Sequence, residues 1–252
     1  MKKLTTTLLI LTATFTWAQP APDLSLNKHE LQIGLAAVSS QSIYLGGSSQ
    51  TRFFPAIDYH YKRFYFQAGD LGFNLMDNNN WKVDMGFGVN LVGDIDRGDS
   101  RELSHLPDLS YPLSAFVSAQ YKSPIGLFKL KHNHEINNKH DGNSSSLSYA
   151  AAIRKAGWLI MPKLTYTIHS DEVLNYFYGV DTEYATNEIP AYWSDSGDSY
   201  QLSILGLKQI NSKWSILANL QNEFYGNEIS NSPIVKDDQR LSIFVGFLYK
   251  VF

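Results

Sequence analysis

The stretch WKVDMGFGVNL, residues 81–91, decides how the rest of the chain is read. Trp81, Val83, Met85, Phe87, Val89 and Leu91 fall on one face; Lys82, Asp84, Gly86, Gly88 and Asn90 fall on the other. Alternation with period two marks a β-strand, because successive side chains of an extended backbone point to opposite sides. Unbroken alternation over about ten residues matches the length of a strand that crosses a bilayer at a tilt.

The pattern recurs in YPLSAFVSAQY (residues 111–121), WLIMPKLTYTI (158–168), WSILANLQNEF (214–224) and RLSIFVGFLYKVF (240–252). Weaker copies lie at 30–38, 52–61, 63–75, 125–134, 146–154, 173–184 and 199–209. The expectation is an all-β transmembrane antiparallel barrel of about twelve strands, or about ten if two weak segments are loops. No helix longer than a turn or two is indicated. Several strands begin or end on Trp or Tyr, namely Trp81, Tyr111, Tyr121, Trp158, Trp214 and Tyr249, as the aromatic girdles of a membrane barrel require. A soluble β-sandwich is the alternative, but its strands are usually shorter.

The amino terminus, MKKLTTTLLILTATFTWA, carries two lysines, a short apolar stretch and a small residue. That order predicts a secretory signal peptide over residues 1–18, cleaved after Ala18, with residues 19–252 as one barrel domain. The chain has no cysteine, so disulfides and thiolate metal sites are excluded. Its formal net charge of −3 argues against nucleic acid as a partner. The expected partners are outer-membrane lipid and lipopolysaccharide, in a Gram-negative cell.

Lipid offers no hydrogen-bond partner, so the first and last strands of such a barrel must pair and the last must be complete. The terminal Phe252 also resembles the ending of outer-membrane barrel proteins that the assembly machinery recognises. Those proteins carry a second aromatic two residues earlier. Here Lys250 holds that place and Tyr249 precedes it.

With both termini periplasmic, residues 61–63 and 210–213 become short periplasmic turns, and 39–51, 185–198 and 224–239 become external loops. Counting strands puts the polar segment GDIDRGDSRELSHLPDLS, residues 93–110, on the periplasmic side. There Asp94, Asp96, Arg97, Asp99, Arg101 and Glu102 are candidates for contact with a periplasmic partner.

A family resemblance rests on IYLGGSSQTRFFPAIDYHYKRFYFQAGDLGFNL (residues 43–75), followed in order by NYFYGV (175–180), IPAYW (189–193), Trp214 and SPIV (232–235). Together these are similar to the MipA/OmpV family of outer-membrane proteins. The resemblance implies a scaffold that joins a murein-degrading lytic transglycosylase to a murein synthase. The alternatives it implies are a narrow porin-like diffusion channel for small solutes or a surface adhesin, roles described for other members. It supplies no catalytic residues.

Little else points to chemistry. His132 and His134 share a strand face and form a weak metal candidate with no third ligand at fixed spacing. Asp94, Asp96 and Asp99 lack the order of a calcium loop. The histidines fall in no hydrolase or metalloprotease motif, so no enzymatic activity and no cofactor are expected. Lys82, Asp84 and Lys163 lie on inward faces, where mixed charge suits a wet channel and a plugged lumen equally.

Overall fold

The computed structural model describes residues 29–89 and 94–252. The leader boundary after Ala18 lies outside them, as do Asn90 and Leu91 of the opening stretch. The strands are β1 (His29–Ser40), β2 (Gln50–Tyr61), β3 (Phe64–Gln67), β4 (Asp70–Asp77), β5 (Trp81–Val89), β6 (Leu113–Ser123) and β7 (Gly126–Glu135). They continue as β8 (Asn143–Ala150), β9 (Ile153–Lys155), β10 (Trp158–His169), β11 (Gly197–Gln209), β12 (Trp214–Tyr225) and β13 (Gln239–Lys250). Each pairs antiparallel with its neighbours, and β8 and β9 together form one interrupted stave against β10. The result is a closed 12-strand barrel.

The seam lies between β1 and β13, in register from Gln32↔Lys250 to Ser40↔Ser242. Pairing runs past the strand end. Val251 N–H donates to the Leu31 carbonyl at 2.8 Å, and Leu31 N–H donates to the Phe252 carbonyl at 3.3 Å. The Phe252 ring packs on His29, with centroids 4.5 Å apart. Gly34 occupies the seam because a Cβ there would lie 1.7 Å from the Phe247 carbonyl oxygen.

Burial is inverted relative to a soluble protein. The outward faces are apolar and exposed, as in Leu35 at 72% and Phe53 at 81%, and along Leu241, Ile243, Val245 and Phe247 of β13. An apolar belt of this extent needs lipid around it. Inward faces mix polar or small side chains such as Gln32, Ser118, Thr165, Ser203 and Gly246 with larger apolar ones such as Phe54, Met161, Leu207 and Phe244. The contiguous hydrophobic core lies in the loops, not the barrel: Ile43, Tyr44, Leu103, Leu106, Leu174, Val180, Ile189, Ile229 and Ile234.

Two segments differ from the sequence expectation. Residues 63–75 are two strands, β3 and β4, joined by a turn at Ala68 (φ 52°) and Gly69 (φ 88°). The alternation slips phase there, from Phe64 and Phe66 to Leu71 and Phe73, which is what a turn does to the period. Residues 173–184 are no strand. Helix α1 (Asp171–Tyr178) buries Val173 and Leu174, with Asp171 and Glu172 in the first turn complementing the helix dipole.

The added strand at 63–75 and the helix in place of a strand at 173–184 leave the total at twelve but shift the parity between them. Every connection from residue 76 to 172 changes ends. Residues 94–110 therefore lie at the long-loop end, with 41–49, 170–196 and the connection containing α2 (Asn227–Ser230). This corrects the periplasmic placement of that segment. The start of β1 and the end of β13 share the opposite end with the short turns at 62–63, 78–80, 124–125, 156–157 and 210–213.

The seam makes a definite demand on Gly34. Gly34→Val is expected to block closure, at a cost of roughly 2 kcal/mol or more for overpacking. On unheated gels the variant should lose the compact, heat-modifiable band that the folded protein shows; an unchanged band means that the seam tolerates a side chain.

Candidate functional site

Alternation along twelve staves delivers a second set of side chains to the lumen, and these line a cavity of about 1110 Å³. It extends from Tyr44, Phe177 and Tyr178 beneath the loops down to Leu207, Ser215 and Leu248, close to the short-turn rim. Around it, charges sit in pairs. Lys131 Nζ lies 2.8 Å from Asp70 Oδ2 and 4.2 Å from the centroid of the Phe116 ring. Lys82 lies 3.7 Å from the buried Asp84, which also accepts a hydrogen bond from Asn74 Nδ2 at 2.9 Å. Lys163 faces the cavity from β10 and has no hydrogen-bond or ion-pair partner among the described residues.

Near the loops a polar chain crosses five strands. Ser144 Oγ is 2.9 Å from His169 Nδ1, and His169 Nε2 is 3.4 Å from Ser199 Oγ. Ser199 donates to Glu223 Oε1 at 3.1 Å, and Tyr225 Oη donates to Glu223 Oε2 at 3.0 Å. Arg240 Nη2 closes the chain on Glu223 Oε2 at 3.1 Å. Both imidazole nitrogens meet hydroxyls. The chain satisfies buried polar groups across the upper lumen. The sequence held no sign of it, because the residues are scattered from 144 to 240.

Above this chain the loops form a cap. Tyr44 Oη donates to the Phe177 carbonyl at 3.1 Å, Ser232 Oγ to the Tyr178 carbonyl at 2.6 Å, and Tyr192 Oη to the Glu228 carbonyl at 2.9 Å. Burial pushes the Tyr44 and Tyr178 hydroxyls above the ordinary tyrosine range. Four connections thus share one apolar cluster over the lumen mouth.

The candidate partner-contact residues belong largely to this cap. Asp94 accepts from Ser42 Oγ at 2.7 Å and from Gly98 N–H at 2.9 Å. Asp96 pairs with Arg52 at 2.6 Å, and Asp99 accepts from Gln50 Nε2 at 3.0 Å. Arg97 is buried and donates from Nη1 to the Pro107 carbonyl at 2.8 Å; its desolvation lowers the guanidinium below the usual arginine value. Arg101 and Glu102 are exposed. His132 and His134 alternate with the lumen-facing Lys131 and Asn133, so they face outward on β7, where His132 Nδ1 meets Ser145 Oγ at 2.8 Å. Tyr111 bonds to Arg52 in the cap and is no part of a girdle. At the opposite rim, Trp81 packs on Tyr121 and Trp214 on Tyr249.

Residues 136–142 are held by one carboxylate. Glu135 Oε2 accepts N–H bonds from Lys139, His140 and Asp141, each at 2.8 Å, and Oε1 accepts from Asn137 N–H. His140 then packs on Tyr176 and Phe177 of α1, at 5.3 and 6.2 Å. Burial lowers the His140 pKa below its ordinary value, against the opposing pull of Glu135 and Asp141. The unfolded loop therefore binds a proton more readily than the docked one, and stability rises with pH across that window. Acidification below about pH 6.5 is expected to loosen this part of the cap. Hydrogen exchange at residues 136–142 should show protection falling between pH 7.5 and 5.5 in the wild type and not in His140→Gln. Equal pH dependence in both removes His140 as the cause.

Residues 33–251 match the family described as MltA-interacting protein MipA. Outer membrane protein Omp26La of Vibrio anguillarum is 28% identical over 103 residues, covering 41% of this chain and 40% of that protein. Outer membrane protein OmpV of Vibrio cholerae is 28% identical over 102 residues, covering 40% of each. The matched region thus spans about two fifths of these relatives. Among solved structures, an outer membrane channel from Pseudomonas putida is 11% identical with a TM-score of 0.43, covering 92% of this chain and 99% of that one. OmpT of Vibrio cholerae is 12% identical with a TM-score of 0.37, covering 86% and 76%. With the closed barrel, its apolar belt and a family match across nearly all described residues, the chain belongs to the MipA family and is an outer-membrane β-barrel protein.

Proposed function

We propose that the protein is a non-enzymatic scaffold at the outer membrane, docking a murein-remodelling enzyme on its short-turn rim. The observation that carries this reading is the cap. Its nine-membered apolar cluster ties four connections together over one mouth of the lumen, which disfavours free diffusion as the purpose of the barrel. The family description, MltA-interacting protein, supports a protein partner, and the family resemblance implies that its class is a lytic transglycosylase. The short-turn rim takes over from residues 94–110 as the docking surface, because it shares an end with the start of β1 and the end of β13.

One feature of that rim suits docking. Ile125 stands at the tip of the turn between β6 and β7 with 68% of its surface exposed. Its carbonyl accepts a 2.6 Å hydrogen bond from Tyr149 Oη, so the apolar side chain is presented on a fixed backbone. A rigid exposed aliphatic residue is a suitable anchor for a partner pocket.

A narrow channel is the second reading, favoured by the size of the cavity and its reach to the short-turn rim. Two measurements separate the readings. Pull-down of periplasmic murein enzymes should succeed with intact protein and weaken by about tenfold, near 1.4 kcal/mol, with Ile125→Asp. Equal recovery removes this rim as the docking surface. Planar-bilayer recordings should show no conductance steps from the wild type, and steps from Ile234→Asp, which places a charge in the cap cluster. Steady conductance from the wild type supports the channel instead.

A further inference from the structure

Charge is segregated along the barrel axis. The connection 170–196 holds Asp171, Glu172, Asp181, Glu183, Glu188 and Asp195 and no Lys or Arg. At the opposite end, the turns at 62–63 and 210–213 and the strand end before 156–157 contribute Lys62, Arg63, Lys213, Arg154 and Lys155 with no acidic residue among them. Three acidic side chains stand near this level, and one of them, Asp77, ends β4 opposite Lys82 of β5. Glu30 is buried 3.6 Å from Lys250, and Asp58 lies 2.9 Å from His60.

Three lysines near this rim are set beside outward-facing aromatic rings. Trp158 of β10 is directly opposite Lys155 of β9 on one side and Lys208 of β11 on the other. Lys208 Nζ stands 5.5 Å from the Trp158 ring centroid. Two strands further, Lys213 Nζ bonds to Tyr249 Oη at 3.1 Å and lies 5.5 Å from that ring, which packs on Trp214 at 5.0 Å. Strands β9 to β13 are consecutive neighbours, so the two groups form one patch on the outer wall.

Depth identifies what such a patch meets. Trp and Tyr rings at strand ends sit at the headgroup level of a bilayer. The connecting turns are too short to carry the lysines far from those rings, so the ammonium groups lie in the layer that holds lipid phosphates. Lys is a compact point charge with three donors, suited to phosphate oxygens, while the ring beneath it accommodates glycerol and the first acyl carbons. We infer that Lys155, Trp158, Lys208, Lys213, Trp214 and Tyr249 form a binding site for the phosphodiester headgroup of anionic glycerophospholipids in the leaflet at the short-turn end. An acidic protein meets the turn tips from the aqueous side; this patch faces sideways, into lipid. The site is separate from the Ile125 tip and does not depend on the scaffold reading.

The test uses the full-length folded protein in nanodiscs of phosphatidylcholine with and without phosphatidylglycerol, with bound lipid read by native mass spectrometry. The wild type is expected to retain phosphatidylglycerol over phosphatidylcholine by roughly tenfold or more, a preference that weakens as salt is raised. The combined variant Lys155→Gln, Lys208→Gln and Lys213→Gln should lose the preference, with its heat-modifiable gel shift confirming that it folds. Lys139→Gln with Lys236→Gln, at the long-loop end, should keep it. A wild type without preference, or one whose preference ignores salt, overturns the inference whether or not the triple variant folds. A folded triple variant that still selects phosphatidylglycerol overturns it too, as does loss in the long-loop control.

Discussion

Backbone amides and carbonyls in hydrocarbon have no water to bond, and that requirement organises everything else in this molecule. Each strand must be paired on both sides, so the sheet must close, and closing it makes β1 and β13 partners although they stand at opposite ends of the chain. The close approach at Gly34, the pairing of Val251 and Phe252 with Leu31, and the stacking of Phe252 on His29 all serve that junction. Closure also divides side chains by parity into a lipid face and a lumen face. The alternation of Trp81 to Val89 is that division written into the sequence.

A barrel with its apolar side chains turned outward cannot use them to build an interior. The protein instead assembles its hydrophobic core from loops. Residues such as Leu174, Ile229 and Ile234 are essentially inaccessible, and burying each aliphatic side chain contributes on the order of 1.5–3 kcal/mol. Ordering four long connections costs conformational entropy that loops in water rarely recover. Here the shared cluster, the Glu135 carboxylate and the backbone bonds from Tyr44, Ser232 and Tyr192 offset it. Below the cap, the pairs Lys131–Asp70 and Arg240–Glu223 keep the lumen charged yet nearly balanced.

How much of this the sequence disclosed depended on whether a residue's role was local. Long alternating runs gave their strands to within a few residues, and the turns at 62–63 and 210–213 followed from them. The hairpin at Ala68–Gly69 was legible too, since the phase of the aromatic and aliphatic residues slips there, but a run of Phe, Leu and Gly reads as one strand unless that slip is weighed. In α1, Leu174, Phe177 and Tyr178 recur at helical spacing, yet over only two turns that period is hard to tell from alternation. One strand gained and one lost left the total intact and misplaced residues 94–110, because sidedness depends on the parity of the count.

The sequence by itself determined the class of fold, the division of each strand into lipid and lumen faces, the closing role of the last strand and the likeness to the MipA/OmpV family. Those properties are carried by period and local order, which survive without knowledge of what lies across the sheet. Only the tertiary structure decided that the long connections fold together into a cap. The Ser144–His169–Ser199–Glu223–Arg240 chain and the lysines beside Trp158 and Tyr249 were likewise decided there. Each of these unites residues brought close by barrel closure and strand register, and no spacing along the chain encodes the distance across a lumen.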